Sequence, residues 1–193
     1  MTRVLLARHA ETDWNAQRRF QGHADPPLND IGRGQARALA EKLADSVVTA
    51  VYSSDLRRAT ETAKIVAERL GLPVARRVGL REIDVGEWSG LTVDEVVARY
   101  PEGYRRHRAG GDGWEQGESH VALSERIVRA VEEIARGHPG ETILIVAHGA
   151  CLRALLAYAE GAELGEFRRT RPAIENGSLA TVLVEDGAVR RID

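Results

Sequence analysis

The sequence predicts an α/β fold in which helices cover both faces of a mostly parallel sheet, giving a three-layer αβα sandwich. Three short apolar runs, at residues 4–7, 50–52 and 142–147, are continuous rather than alternating. Runs of this kind are typical of strands buried on both faces of a parallel sheet. Helical periodicity between the runs gives the alternation of strand and helix that defines this fold class.

The last part of the chain predicts an antiparallel edge to this sheet. Residues 178–184 and 188–192 flank Glu185-Asp186-Gly187, and Asp-Gly is a favoured hairpin turn. Because a hairpin joins antiparallel strands, we expect one edge strand of the sheet to run against the others.

Periodicity and start and stop signals predict the helices. Asn29 or Asp30 is placed to cap the first of them, Gly71 closes the second, and Pro101 ends the third. The predicted helical segments are residues 31–43, 59–70, 91–100, 119–136 and 150–159.

Length and composition predict one ordinary domain over residues 1–193. With 193 residues the chain can bury a substantial core, and a net charge of −2 does not indicate a nucleic-acid or membrane protein. The single cysteine, Cys151, excludes an internal disulfide, favours a reducing compartment and is expected to be a small buried hydrophobe. The first apolar run is too short for a signal peptide or transmembrane helix, so we expect a cytoplasmic protein. A homodimer is left open.

Two histidines follow predicted strands and are expected to meet. Arg8 and His9 follow the run at 4–7, and His148 follows the run at 142–147. Parallel strands carry their carboxyl ends on one edge of the sheet, and the ligand crevice of open α/β sheets lies outside those ends. An arginine and two histidines at that edge are placed to meet an anion.

The third strand supplies more positive charge at the same edge. Ser54 or Asp55 is expected to cap a helix whose first turn carries Arg57 and Arg58. A helix N-terminus offers unpaired N–H groups and a partial positive charge to an anion. Arginine added there favours a phosphate site over a carboxylate site.

Several motifs occur in order along nearly the whole chain. They are Arg8-His9-Ala10-Glu11-Thr12 with Trp14-Asn15, Arg19-Phe20-Gln21-Gly22, Ser53-Ser54-Asp55-Leu56-x-Arg58-Ala59-x-x-Thr62-Ala63, Leu80-Arg81-Glu82-Ile83 running to Gly86-Glu87-Trp88-Ser89-Gly90, Gly117-Glu118-Ser119, Val146-Ala147-His148-Gly149 and Asn176-Gly177-Ser178. In these motifs the chain resembles the phosphoglycerate-mutase-like branch of the histidine phosphatase superfamily, which implies the fold of that branch. Ala10 stands where the family usually has Gly, and it would be strained if the backbone needed a positive φ there.

The resemblance implies a role for each site residue. His9 would be the nucleophile and Glu82 the general acid, with Glu87 and Glu11 as alternative carboxylates near the same edge. Arg58 rather than Arg57 would bind phosphate, because the motif places the ligand just before Ala59. The phosphate pocket would contain Arg8, Arg58 and His148, and further substrate contacts would come from Asn15, Gln21, Gly22 and Gly149. Neither a metal nor a cofactor is implied.

The chemistry of phosphate esters agrees with these roles. A phosphate monoester carries about −1.5 to −2 charges at neutral pH, and these repel a nucleophile. Arginines neutralise that charge and hold the oxygens in place. A neutral His9 can then attack phosphorus to form a phosphohistidine, while Glu82 protonates the leaving alkoxide and later activates water.

The segment between Glu82 and Gly117 favours a phosphatase over a mutase, since it is short and lacks the longer insertion of family mutases. We therefore expect a phosphomonoesterase that hydrolyses small phosphorylated metabolites. A cofactor-dependent phosphoglycerate mutase is the alternative. A non-catalytic phosphate-binding regulatory protein is disfavoured because the motifs retain every catalytic residue. The sequence does not identify the substrate.

Residues 99–117 form a variable, lid-like segment with two interpretations. Its arginines, Arg105, Arg106 and Arg108, either contact a second anionic group on the substrate or belong to a solvated turn. A second basic cluster leaves the same choice open, and it comprises Arg168, Arg169 and Arg171. The remaining histidines are expected at the surface or bonded to local backbone, with His120 the one to test; they are His23, His107, His120 and His138.

Overall fold

The sheet of the computed structural model, which describes residues 1–192, has a parallel part and an antiparallel edge. Its strands are β1 (Thr2–Arg8), β2 (Val48–Ser53), β3 (Val74–Arg76), β4 (Thr142–Ala147), β5 (Leu179–Glu185) and β6 (Ala188–Arg191). They lie in the order β3-β2-β4-β1-β5-β6. The first four are parallel to one another, and β5 pairs antiparallel with both of its neighbours, β1 and β6. The predicted mostly parallel sheet with a hairpin at one edge is confirmed.

Helices cover both faces of this sheet. They are α1 (Asp13–Ala16), α2 (Asp30–Lys42), α3 (Arg57–Leu70), α4 (Val93–Arg99), α5 (Pro101–Arg108), α6 (His120–Arg136), α7 (Gly149–Ala159) and α8 (Leu164–Thr170). Apolar side chains of α6 and α7 pack on one face, and those of α2 and α3 pack on the other. The predicted three-layer arrangement is therefore confirmed. Among residues 1–192, none of the helices combines the length and apolar character needed to cross a membrane.

The central strands are apolar on both sides because both of their faces are covered. Residues 143–147 of β4 are fully buried, as is Val4 of β1, with Leu6 almost so. Burying one such side chain contributes about 1.5–3 kcal/mol. The continuous apolar runs of the sequence thus correspond to the two strands that carry the candidate histidines at their ends.

Several helix boundaries follow the predicted signals. Asn29 Oδ1 accepts a hydrogen bond from Gly32 N at 2.8 Å and so caps α2. Ser119 Oγ accepts from Ala122 N and caps α6, and Gly71 ends α3 with a φ of +69°. These caps hold the ends of the long helices.

The N-terminus of α3 differs from the prediction. Its N-cap is Leu56, which has no capping side chain, and Asp25 Oδ1 accepts the hydrogen bond from Arg57 N instead. Ser54 or Asp55 was predicted to cap this helix, but both side chains bind other partners. Ser54 Oγ lies 2.7 Å from His148 Nε2, and the Asp55 carboxylate pairs with Arg81.

The helix predicted at residues 91–100 does end before Pro101, but a further helix begins there. Helix α4 ends at Arg99, and Pro101 is the first residue of α5. Proline is favoured at that position because the first N–H groups of a helix have no partner within the helix. The lid-like segment therefore begins with a two-turn helix.

Candidate active site

The two candidate histidines lie side by side at one edge of the sheet. Strands β1 and β4 are parallel neighbours with Arg8 opposite Ala147, so the next residues leave the sheet together. The ring centres of His9 and His148 are 5.1 Å apart, and both side chains are buried. Strand register thus brings together two side chains from opposite ends of the sequence.

A cavity of about 280 Å³ opens at this edge. Its lining includes every predicted site residue except His148, namely Arg8, His9, Asn15, Gln21, Gly22, Arg58, Glu82 and Gly149. His148 lies deeper and packs against His9. The residues that the resemblance selected therefore surround one shared space.

The tautomer of His9 is set by the backbone. His9 Nδ1 lies 2.8 Å from the carbonyl oxygen of Ala10, which can only accept, so Nδ1 carries the proton and Nε2 keeps its lone pair. Burial lowers the pKa of His9 well below its usual value, and the positive charges of Arg58 and Arg8 lower it further. The side chain is therefore neutral at neutral pH, with Nε2 able to act as a nucleophile.

Ala10 fits its position without backbone strain. Within residues 1–192 the non-glycine residues with positive φ are Arg18 and Asp186, so Ala10 is not in the region that favours glycine. Its N–H donates to Thr62 Oγ1 at 3.0 Å, and Asn176 Nδ2 donates to the carbonyl oxygen of His9 at 2.8 Å. These bonds fix the chain around the candidate nucleophile.

Backbone carbonyl groups hold the two arginines of the site. Arg58 is fully buried, and its Nη atoms donate to the carbonyl oxygens of Gly22 at 2.9 Å and Ala24 at 2.7 Å. Arg8 Nη1 donates to the carbonyl oxygen of Ile174 at 2.5 Å. Burial lowers the pKa of both guanidinium groups, but arginine stays charged in proteins. The carbonyl groups orient the two cations without neutralising them.

Three buried nitrogen atoms at this site lack a hydrogen-bond partner among residues 1–192. They are Arg8 Nε, Arg58 Nε and His148 Nδ1, whereas His148 Nε2 contacts Ser54 Oγ. An unsatisfied buried polar group costs about 1–3 kcal/mol and is rare in native proteins. Arg8 Nε and Arg58 Nε are N–H donors that the acceptor oxygens of a phosphate group would satisfy, whereas the role of His148 Nδ1 depends on the tautomer of its ring.

Glycine is required at position 22. Gly22 has a φ of +51°, and a Cβ there would lie 2.7 Å from Val85 Cγ2. Its carbonyl group is the one that orients Arg58. Nearby, Asn15 Oδ1 accepts from Thr12 N at 3.1 Å, so the NH₂ group of Asn15 is the part that can donate to a substrate.

Glu82 lies where a general acid would be needed. Its carboxylate lines the cavity and accepts hydrogen bonds from Ile83 N at 3.0 Å and Ala150 N at 3.4 Å. Ala150 is in the first turn of α7, directly after Gly149. Cys151 is buried beside it, as predicted, with Sγ 3.8 Å from Glu82 Oε1.

The alternative carboxylates, Glu87 and Glu11, accept hydrogen bonds from groups outside the cavity. Glu87 accepts hydrogen bonds from Glu115 N and Gln116 N, at 2.8 and 3.2 Å. Burial raises its pKa, but hydrogen bonds from backbone N–H groups outweigh this effect and leave the pKa below its usual value. Glu11 accepts from Asn29 Nδ2. Neither of these two carboxylates is among the residues that line the cavity, whereas Glu82 is.

A partly buried ion pair between Arg126 of α6 and Glu118 supports the Glu82 segment. Arg126 pairs with both carboxylate oxygens of Glu118, at 2.7 and 2.6 Å. Its Nη1 donates to the carbonyl oxygens of Gly79 at 2.9 Å and Arg81 at 2.8 Å. Arg126 was not identified from the sequence, although the Gly-Glu-Ser motif singled out its partner.

The cavity is also lined by six side chains that were not predicted to share one site. They are Phe20, His107, Trp114, His120, Arg153 and Arg168. His107 was expected at the surface, but it packs against Phe20, and burial followed by the charge of Arg168 lowers its pKa to about 3. His120 is buried with Nδ1 2.5 Å from Asp112 Oδ1.

The basic run of the lid-like segment is directed elsewhere. Arg105 is exposed and pairs with Glu102 three residues earlier, at 2.5 Å. Arg106 pairs with Glu115 and also bonds to backbone. Arg108 lines a neighbouring cavity, which His107, Arg153 and Arg168 line as well. Of these three arginines, Arg153 and Arg168 also line the main cavity, and Arg108 does not.

Fold and site together define an α/β protein with an arginine-lined crevice beside a neutral histidine. The family model for the histidine phosphatase superfamily (branch 1) matches residues 4–191. The chain belongs to this family.

Relatives with different names show comparable similarity. Phosphoserine phosphatase 1 of Hydrogenobacter thermophilus is 37% identical over 172 residues, which cover 86% of this chain and 80% of the relative. Phosphoglycerate mutase-like protein 4 of Arabidopsis thaliana is 42% identical over 157 residues, covering 79% and 68%. The structure of Bacillus stearothermophilus YhfR superposes with a TM-score of 0.92 at 34% identity, covering 99% of this chain and 95% of that one.

Proposed function

We propose that the protein is a phosphomonoesterase that hydrolyses small phosphorylated metabolites through a phosphohistidine at His9. The observation that carries the proposal is that the guanidinium donors of Arg8 and Arg58 line one cavity with Glu82 and a neutral His9. Such donors favour a phosphate group, and the tautomer of His9 leaves Nε2 as the attacking atom. The similarity to a phosphoserine phosphatase supports the same activity.

In the first step, the Nε2 lone pair of His9 forms a bond to phosphorus while the ester P–O bond breaks. The arginines balance the charge on the phosphoryl oxygens. Glu82 gives its proton to the leaving alkoxide. In the second step, Glu82 takes a proton from water, water oxygen bonds to phosphorus, and the P–N bond breaks to release inorganic phosphate.

The test is a panel of phosphate esters assayed for release of inorganic phosphate, combined with rapid quenching of labelled substrate. We expect turnover and an acid-labile, base-stable phosphoenzyme. Turnover without such an intermediate would contradict a phosphohistidine. A protein that binds phosphate esters but releases no phosphate from any of them would be the regulatory alternative.

A phosphoglycerate mutase is the second candidate, favoured by the similarity to a phosphoglycerate mutase-like protein. The two activities differ in the acceptor of the phosphoryl group, which is water in one and phosphoglycerate in the other. Interconversion of 3- and 2-phosphoglycerate faster than phosphate release would establish the mutase.

The other expectations from the sequence remain part of the proposal. We assign one catalytic domain to residues 1–193, a small phosphorylated metabolite as its partner, and a cytoplasmic location. A homodimer is left open.

A further inference from the structure

Two of the arginines that line the cavity have no ion-pair partner. Arg19, also in the lining, pairs with Glu95 at 3.3 Å. Arg153 and Arg168, in contrast, have no carboxylate within ion-pair distance in the described part of the chain. These two guanidinium groups therefore add positive charge to a cavity that Arg8 and Arg58 also line, and both also line the neighbouring cavity.

Backbone oxygens hold these two side chains in place. Arg153 Nη2 donates to the carbonyl oxygens of Arg168 at 2.6 Å and Arg171 at 3.2 Å. Arg168 Nη1 donates to the carbonyl oxygen of Gly110 at 2.7 Å. Arg153 Nε is buried and has no partner within residues 1–192. Both guanidinium groups are thus held in place, and the Nε–H group of Arg153 remains without a hydrogen-bond acceptor in the described residues.

The imidazole of His107, next to Arg168, adds an uncharged N–H donor to this group. Arg168 Nη2 donates to His107 Nδ1 at 3.1 Å, so the proton of this imidazole is on Nε2. With its pKa lowered to about 3 by burial and then by Arg168, His107 is neutral at neutral pH. Burial and then the charge of Arg153 lower the pKa of Arg168 to about 10, at which it still carries its charge.

Two acidic groups offset part of the charge of Arg168 without pairing with it. Asp112 raises the pKa of Arg168 through space, and its Oδ1 is bonded to His120 N at 2.9 Å and to the His120 ring. Glu163 also acts at a distance, and it accepts from Gly165 N at 2.7 Å. Neither carboxylate is among the residues that line the cavity.

We propose that Arg153, Arg168 and His107 bind a second anionic group of the substrate. This inference rests on the proposed function and narrows its substrate class to phosphate esters that carry a carboxylate or a second phosphate. Arg153 lies close enough to Arg8 for their charges to interact, and both line the cavity. The second group should accordingly lie near the phosphoryl group.

The experiment compares pairs of esters that differ in the second group. Glycerol 3-phosphate is paired with 3-phosphoglycerate, and fructose 6-phosphate with fructose 1,6-bisphosphate. We expect wild-type kcat/KM to be at least about tenfold higher for the anionic member of one pair, as one charge-assisted contact provides. Preference in the first pair assigns a carboxylate, and preference in the second assigns a phosphate.

Variants then connect the preference to the residues. Arg153→Gln and Arg168→Gln should each reduce the ratio of kcat/KM values by about tenfold, while Arg153→Lys should keep part of it. The matched control is Arg105→Gln, which removes the same charge from an exposed arginine paired with Glu102 and should leave the ratio unchanged. Thermal melting checks that each variant is folded.

The outcomes separate this inference from the proposed function. Equal kcat/KM within both wild-type pairs overturns the second anion site while leaving the phosphatase intact, and this result does not depend on any variant. A preference that Arg153→Gln and Arg168→Gln do not alter overturns the assignment to these residues. Absence of phosphate release from every ester overturns the proposed function itself.

Discussion

The carbonyl oxygen of Ala10 determines how His9 can react. By accepting a hydrogen bond from Nδ1, it leaves the lone pair on Nε2 at the ring position that a phosphorus atom can approach. The neighbouring positive charges then have two effects. They keep His9 unprotonated, and they attract the phosphate group that it would attack.

Replacing His9 tests the proposed nucleophile. We expect His9→Ala to reduce kcat for an aryl phosphate at least a hundredfold, about 2.7 kcal/mol of barrier, since no other group could form the covalent intermediate. The measurement is steady-state phosphate release, with His138→Ala as the control because His138 bonds to Tyr52 and Glu141 away from the cavity. Retention of more than a tenth of wild-type kcat would rule out His9.

Leaving-group dependence tests Glu82. We expect Glu82→Gln to slow alkyl phosphates far more than aryl phosphates, because a stable phenolate needs little protonation on departure. The comparison is the ratio of kcat values for the two classes of ester. Glu87→Gln should leave that ratio unchanged, since its carboxylate is bound to backbone N–H groups outside the cavity. Equal losses for both classes would mean that Glu82 only shapes the site.

The lowered pKa of His9 can be observed directly. An unperturbed imidazole titrates near pH 6.5, whereas we expect the buried ring of His9 to stay neutral well below that pH, with its proton on Nδ1. Nitrogen NMR of the free enzyme measures both properties, and the spectrum of His9→Ala assigns the signal. A transition near pH 6.5 would contradict the burial argument.

At the scale of elements, α6 acts as the support of the general acid. Arg126 extends from this helix to the carbonyl groups just before Glu82, and Glu118 fixes its guanidinium group. The glutamate of the Gly-Glu-Ser motif, Glu118, does not line the cavity. It fixes Arg126, which in turn holds the backbone next to Glu82 in position.

Arg126→Gln tests this positioning role. We expect it to lower kcat for alkyl phosphates more than for aryl phosphates, because displacement of Glu82 impairs protonation of the poorer leaving group. Arg129→Gln is the matched control, an exposed arginine on the same helix. A uniform loss for both ester classes, or a loss confined to thermal stability, would indicate a purely structural residue.

The sequence predicts elements well where the signal is local. Continuous apolar runs identified β1 and β4, and Asn29 and Gly71 marked helix ends correctly. Prediction failed where a side chain has a distant partner. Ser54 could not be assigned as a cap or a site residue locally, because its partner His148 is remote in sequence. Strand β3 has three residues, too few for a periodic signal.

The same distinction applies to the site. Motif order selected the residues of the phosphate site, and Arg168 belonged to a basic cluster whose role the sequence left open. Arg153 resembles an ordinary surface arginine until the tertiary structure places it at the cavity. For Arg105 the structure favours the solvated interpretation, for a reason that the sequence contains. Glu102 precedes Arg105 by three residues, a spacing that pairs opposite charges along a helix.

For the whole molecule, buried histidines connect stability to pH. The pKa values of His9, His107, His120 and His148 are all lowered, with burial the largest cause. Below about pH 6.5 the unfolded chain binds protons that the folded protein does not. The free energy of unfolding must therefore decrease as the pH is lowered. Each such histidine can contribute a slope of up to about 1.4 kcal/mol per pH unit in that range.

Urea unfolding at pH 7, 6 and 5 measures this slope. We expect the free energy of unfolding to decrease steadily towards pH 5, and His107→Phe to flatten the decrease by about one proton. Carboxylates with lowered pKa values, such as Asp55, lose their contribution only at lower pH, since the ordinary pKa of a carboxyl is near 4. Stability that is independent of pH between 7 and 5 would contradict neutral burial of these rings.

The position of β1 in the sheet has a consequence for synthesis on the ribosome. This strand carries His9 and is made first, yet both of its neighbours, β4 and β5, come from the last third of the chain. At about 5–20 residues per second, translation leaves it without strand partners for roughly ten to thirty seconds. An apolar strand with unpaired edges is prone to aggregation, so the nascent chain should need chaperone protection, and catalysis must wait until translation has passed residue 185.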